Sequence, residues 1–122
     1  MDKYKLLNGG DLAFIGDAYL EIRIRKYVLD KGITSLAKLH NECVKYVSRT
    51  SQYKIIQNLM NELNEEELEI FKRGRNYNYK DKSQEYVNAS GYEALIGYLY
   101  LNKINDRLDY LIQKSISIIE NQ

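Results

Sequence analysis

The stretch SGYEALIGYLYL, residues 90–101, decides how this chain folds. Its twelve residues carry one charge, Glu93. A surface helix keeps a polar face, so a helix apolar on nearly every side is the central member of a bundle. A carboxylate buried there without a partner costs several kcal/mol, so Glu93 must be paired, protonated or bound to a metal. LAFIGDAYLEI, residues 12–22, repeats the problem with Asp17, which has apolar neighbours on both sides. Aspartate is also a poor helix-interior residue, because its short side chain competes for backbone groups. One explanation covers both acids: they converge and share a divalent cation. Magnesium and similar hard ions take oxygen ligands and keep several waters. Such an ion could activate water against a phosphodiester and stabilise charge on the transferring phosphate. The competing explanation is neutralisation by a basic residue, and Arg23, Arg25 and Lys26 are close to Asp17 in sequence.

Glycines flank both acids, Gly16 beside Asp17 and Gly91 and Gly97 around Glu93. Glycine inside a helix costs about 1 kcal/mol against alanine, so it marks close packing or ligand approach. Tight crossing of the two helices would bring the acids together. Glu21, four residues after Asp17, shares its helix face and reads as a solvated charge sooner than a supporting group.

Outward from these segments the chain reads as all-α, with about six main helices in one domain spanning residues 1–122. Proline is absent, and the seven glycines do not fall at hairpin spacings. The first helix is expected over Asp11–Asp30, N-capped by Asp11, with Leu12, Ile15, Tyr19, Ile22 and Lys26 on one face and Gly32 closing it. A short second helix runs from Ser35 to about Cys43, and a third opens near Ser48. Asn64 caps a fourth, whose first turn, Glu65-Glu66-Glu67, suits the positive end of the helix dipole. The fifth is expected over Ser90–Leu101, and the sixth begins at Asn105 or Asp106.

A chain of 122 residues, 44% hydrophobic and 29% charged, is large enough for one core and is not disordered. The net charge of +1 removes any argument for nucleic acid from bulk charge. Cys43 is the single cysteine, which excludes an intrachain disulfide and an all-cysteine zinc site. No apolar run approaches the ~20 residues of a bilayer span. The start, MDKYKLLNGGD, has no signal-peptide core, so a cytoplasmic protein without a membrane partner is expected. The twelve tyrosines fit a general bias toward Tyr, Ile, Asn and Lys better than a base-stacking platform.

Local basic charge is concentrated in FKRGRNYNYKDK, residues 71–82, where Lys72, Arg73, Arg75, Lys80 and Lys82 face only Asp81. Arginine forks match phosphate oxygens, and Asn76 adds donors and acceptors. The segment lies just before Glu93, so it could hold a phosphate-bearing substrate while the acids act on it. It could equally be a solvated run at a helix C-terminus. Lys38, His40, Lys45, Arg49 and Lys54 are scattered more widely. His40 reads as a surface residue and Cys43 as a core residue.

LAFIGDAYLE (12–21) resembles the ribonuclease III signature, with its Leu-Gly-Asp-Ala core on a helix. SGYEALIGYLYL resembles the second acidic motif of that family. The short chain, with LH at 39–40, YVS at 46–48 and KRGRN at 72–76, is similar to the Mini-ribonuclease III branch, which lacks the appended double-stranded-RNA-binding domain. The resemblance implies a homodimeric, magnesium-dependent endonuclease. It would cleave double-stranded RNA to 5′-phosphate and 3′-hydroxyl ends, with large-subunit (23S) ribosomal RNA precursor as the natural substrate. Asp17 and Glu93 match the family's catalytic, metal-binding acids, and Lys72, Arg73, Arg75, Asn76, Lys80 and Lys82 are the expected RNA contacts. Two further acids of the larger relatives are Ala13 and Ser90 here, and Ser90 could still touch a metal-bound water. Those losses support the rival reading, a catalytically silent RNA-binding protein on the same scaffold.

Overall fold

A computed structural model describes residues 3–122 of the chain, so the first two positions of the expected domain and of the expected leader-free start lie outside the described residues. A short 3-10 turn at Lys3–Leu6 precedes six α-helices: α1 (Gly9–Asp30), α2 (Leu36–Val47), α3 (Arg49–Leu59), α4 (Glu65–Arg75), α5 (Gln84–Leu101) and α6 (Asn105–Glu120). No strand occurs among the described residues, and the all-α expectation holds. No helix among them is long and apolar enough to cross a membrane.

Side-chain caps set most of the helix starts. Asn8 accepts from the amide of Asp11 at 2.8 Å, so α1 begins two residues before the expected Asp11 cap. Ser35 caps α2, which continues past Cys43 to Val47. Ser48 caps α3 by accepting from Ser51 N at 3.2 Å. Asn64 and Glu67 form a reciprocal capping box at the start of α4, 2.8 and 3.0 Å. α4 runs on through Phe71 to Arg75. Ser83 then caps α5, which starts six residues before Ser90. The polar sequence QEYVNA concealed this first turn and a half of helix.

α5 is the centre of the bundle. Every residue from Ala89 to Leu99 is buried, with α1, α3, α4 and α6 packed around it. The buried face of α1 is Leu12, Ala13, Gly16, Leu20, Ile24 and Val28, not the expected Ile15–Ile22–Lys26 line. Ile22 is 66% exposed. Glu67 is buried at the α4–α6 contact, where Arg107 grips it at 2.8 and 2.9 Å and also bonds the Glu62 carbonyl. Burial pushes the Glu67 carboxyl up, but the Arg107 fork and the Asn64 amide outweigh it and hold the group below its ordinary value.

Candidate active site

α1 and α5 cross with their backbones in contact. A β-carbon on Gly16 would overlap the carbonyl oxygen of Glu93 and come within 2.9 Å of Gly97 N. One on Gly97 would overlap the carbonyl of Leu12 and reach 3.0 Å from Gly16 N. Two glycines, one on each helix, thus allow an approach that any side chain would block. The residue after Gly16 is Asp17, and its carboxyl comes within hydrogen-bonding reach of Glu93.

The two acids differ in setting. Glu93 is only 3% exposed, whereas Asp17 is open to solvent. The expectation that both acids are sunk in apolar surroundings is therefore corrected for Asp17: the helix face it occupies lies at the edge of the α1–α5 contact. Glu93 accepts from Arg49 Nη1 at 3.0 Å and from Gln52 Nε2 at 3.3 Å. Burial above all, then the neighbouring Asp17, pushes the Glu93 carboxyl up to about 7, against the pull of Arg49. Glu93 thus stands beside a second carboxyl with one incomplete counter-charge.

The three basic neighbours of Asp17 in sequence are engaged elsewhere: Arg23 with Asp109, Arg25 with Glu21, and Lys26 with Asp30. Glu21 is accordingly a surface partner of Arg25. The cation at the site is Arg49, at the N-terminus of α3, and its guanidinium also lies 4.3 Å from the centre of the Tyr86 ring. Arg49, Gln52 and Tyr86 are the site residues that sequence reasoning missed. Arg49 and Gln52 share a face of α3 at i, i+3, but nothing in the sequence says that this face meets α5. Ala13 and Ser90, where larger relatives were expected to have acids, are both buried.

The basic segment divides in two. Lys72, Arg73 and Arg75 form the last turn of α4, at the negative end of its dipole. Arg73 is half-buried and donates to the Leu7 carbonyl at 3.2 Å. Arg75 donates to Asn76 Oδ1 at 3.1 Å and lies over Phe71. Lys72, Asn76, Lys80 and Lys82 are exposed. Lys82 bonds Asn78, and Tyr79 donates its hydroxyl to the Gly74 carbonyl at 2.7 Å. Tyr77, Tyr79 and Tyr86 contact one another in series, tilted and then edge-on, with centroids 5.0 and 5.4 Å apart. This ladder brings the loop after α4 to the rim where Arg49 meets Glu93.

The donor set fits a hard divalent ion in one specific way. Two carboxylates converge from different helices, one is solvent-open, and the burial and neighbouring acid that raise Glu93 are what a cation would offset. No third aspartate, glutamate, histidine or cysteine joins them in a metal-holding group among the described residues, so any such ion would keep most of its water.

The Ribonuclease III domain family matches residues 10–103. The Mini-ribonuclease 3 of Streptococcus pneumoniae is 40% identical over 122 residues, covering 94% of this chain and 95% of that protein. The Mini-ribonuclease 3 of Staphylococcus aureus is 40% identical over 125 residues, covering 97% and 93%. A crystal structure of a Fusobacterium nucleatum protein superposes with a TM-score of 0.83 at 31% identity, covering 96% of this chain and 98% of that one.

Proposed function

The chain belongs to the ribonuclease III family, in its Mini-ribonuclease 3 branch, and is an endoribonuclease; on that premise we propose that it cuts double-stranded RNA at a magnesium site held by Asp17 and Glu93. The observation that carries this reading is the meeting of those two carboxyls across the Gly16–Gly97 crossing, beside the basic end of α4. A bound magnesium would supply an acidified water and a counter-charge for the phosphate under attack. Glu93 anchors the site from the rigid core, and Asp17 presents its carboxylate at the solvent edge where a duplex backbone can reach it. Lys72, Arg73, Arg75, Asn76, Lys80 and Lys82 supply the phosphate contacts, with the exposed members best able to meet RNA. The fragments carry 5′-phosphate and 3′-hydroxyl ends, and the natural substrate is the 23S ribosomal RNA precursor.

The working form is a homodimer, one site for each strand. Its support is a run of exposed apolar side chains on α1 and α2, with Phe14 at 80% and Leu36 at 83% exposure. Leu29, Leu36, Leu39, Cys43 and Val44 also line a groove of about 240 Å³. Tyr19, by contrast, stacks on Tyr100 within the fold. The whole of residues 1–122 acts as one catalytic domain in the cytoplasm.

Cleavage of duplex RNA with magnesium present tests the proposal. Wild type should cut, while Asp17→Asn and Glu93→Gln should each lose at least about a hundredfold in rate, roughly 2.7 kcal/mol of transition-state stabilisation, and still bind RNA. A wild-type protein that binds duplex RNA in magnesium without cutting it would instead establish the silent RNA-binding reading.

A further inference from the structure

We infer that Arg49 is a resident counter-cation for Glu93 which a divalent ion must displace, and that the Tyr86 ring keeps the displaced guanidinium at the rim of the site. This rests on the reading of Asp17 and Glu93 as metal ligands and goes beyond it. The chain contains an internal standard for a permanent buried ion pair: Arg107 meets Glu67 with two bonds, 2.8 and 2.9 Å, and adds a third to a backbone carbonyl at 2.7 Å. Arg49 is built differently. It makes one bond to Glu93, 3.0 Å from Nη1 to Oε1, and its side chain is 40% exposed while that of Glu93 is 4%. The other face of the guanidinium rests on Tyr86, 4.3 Å from the ring centre, and Tyr86 is itself braced edge-on by Tyr79 at 5.4 Å.

A guanidinium and a metal ion sharing the Glu93 carboxylate bring like charges within a few ångströms of each other in a half-buried site, and on this inference the divalent ion prevails. Entry of the ion therefore removes the Arg49–Glu93 bond. The cation–π contact does not depend on that bond, so the side chain has a second resting place already formed. Its five donors, freed from the carboxylate, then lie at the edge of the site with a geometry suited to phosphate oxygens. Net metal affinity is the difference between the attraction of two carboxylates for the ion and the loss of Arg49 from one of them.

Binding of manganese to the full chain without RNA, followed by electron paramagnetic resonance of the free ion at fixed salt and at about pH 8.5, alkaline enough that protons do not compete with the ion for Glu93, reads this directly. Arg49→Gln should bind manganese at least about fivefold tighter than wild type, since a competing charge is gone. Arg49→Lys, which keeps the charge, should stay within about twofold of wild type. An Arg49→Gln affinity equal to or weaker than wild type would overturn the inference. Wild-type binding that Asp17→Asn leaves unchanged would overturn the ligand assignment itself, and this inference with it. A second measurement needs no folded Arg49→Gln protein. In wild type, the guanidinium nitrogen resonances of Arg49, assigned by their loss in Arg49→Lys, should be resolved without metal and merge at saturating magnesium as rotation is freed. Resonances that stay resolved at saturation would refute displacement.

Discussion

Gly16 of α1 touches the backbone of Glu93 on α5 so closely that no β-carbon fits between them. The contact is between helix backbones, with no flexible side chain able to yield. It fixes where Asp17, one residue further along, stands relative to Glu93.

Gly16→Ala should therefore destabilise the fold by about 3 kcal/mol, the upper end for overpacking, and abolish cleavage by parting the two acids. Gly32→Ala is the control. Its surroundings are open, and only its φ of +87° resists a side chain, which costs about 1 kcal/mol with no loss of activity in the folded protein. Urea unfolding together with a cleavage assay separates the two outcomes.

Glu93 makes stability depend on pH in a definite direction. Its carboxyl is raised from 4.5 to about 7, first by burial and then by Asp17. Between those values the folded chain holds a proton that the unfolded chain has lost. The stability owed to this group is complete below about pH 4.5 and declines as pH rises through about 7. In chelator, the stability of wild type relative to Glu93→Gln should fall between about pH 5 and pH 7.5. A flat or rising difference would contradict the assignment.

Arg107→Ala should cost about 3 kcal/mol, near the low end for breaking a buried pair, because Arg107 itself is partly open to solvent. It strands Glu67, whose carboxyl is 5% exposed. Double substitution to Glu67→Gln and Arg107→Ala should recover part of the loss, as denaturant midpoints would reveal.

RNA affinity should fall steeply with salt, and the basic residues should separate into two kinds. Lys72→Ala, Lys80→Ala and Lys82→Ala, at exposed positions, should each lower the log–log salt slope by about one and leave stability unchanged. Arg73→Ala should also lower thermal stability, because Arg73 ties α4 to the Leu7 carbonyl. Mobility shifts at several salt concentrations, with melting curves beside them, distinguish the groups.

The sequence made the central helix legible, because a lone charge in an apolar run has few interpretations. The same reasoning singled out Glu93, which is buried, and Asp17, which is open to solvent; Asn64 was legible because capping is local chemistry. The orientation of α1 was not. Ile22 continues the helical spacing of Leu12, Ile15 and Tyr19, yet it faces outward, since alanine at 13 and glycine at 16 give the closer packing surface. Arg49 was hidden more deeply. It pairs with a residue 44 positions away, and such a partner follows only from how α3 lies on α5. Arg73 looked like a free ligand for phosphate, but its carbonyl partner lies 66 residues earlier in the chain.

Because α5 is enclosed on all sides, the backbone that bears Glu93 has no independent way to open. Its amides should be among the slowest in the chain to exchange with heavy water, released only when the entire domain melts. Heat or denaturant should therefore extinguish the proposed metal site and the tertiary structure in one step, leaving no folded but disarmed intermediate.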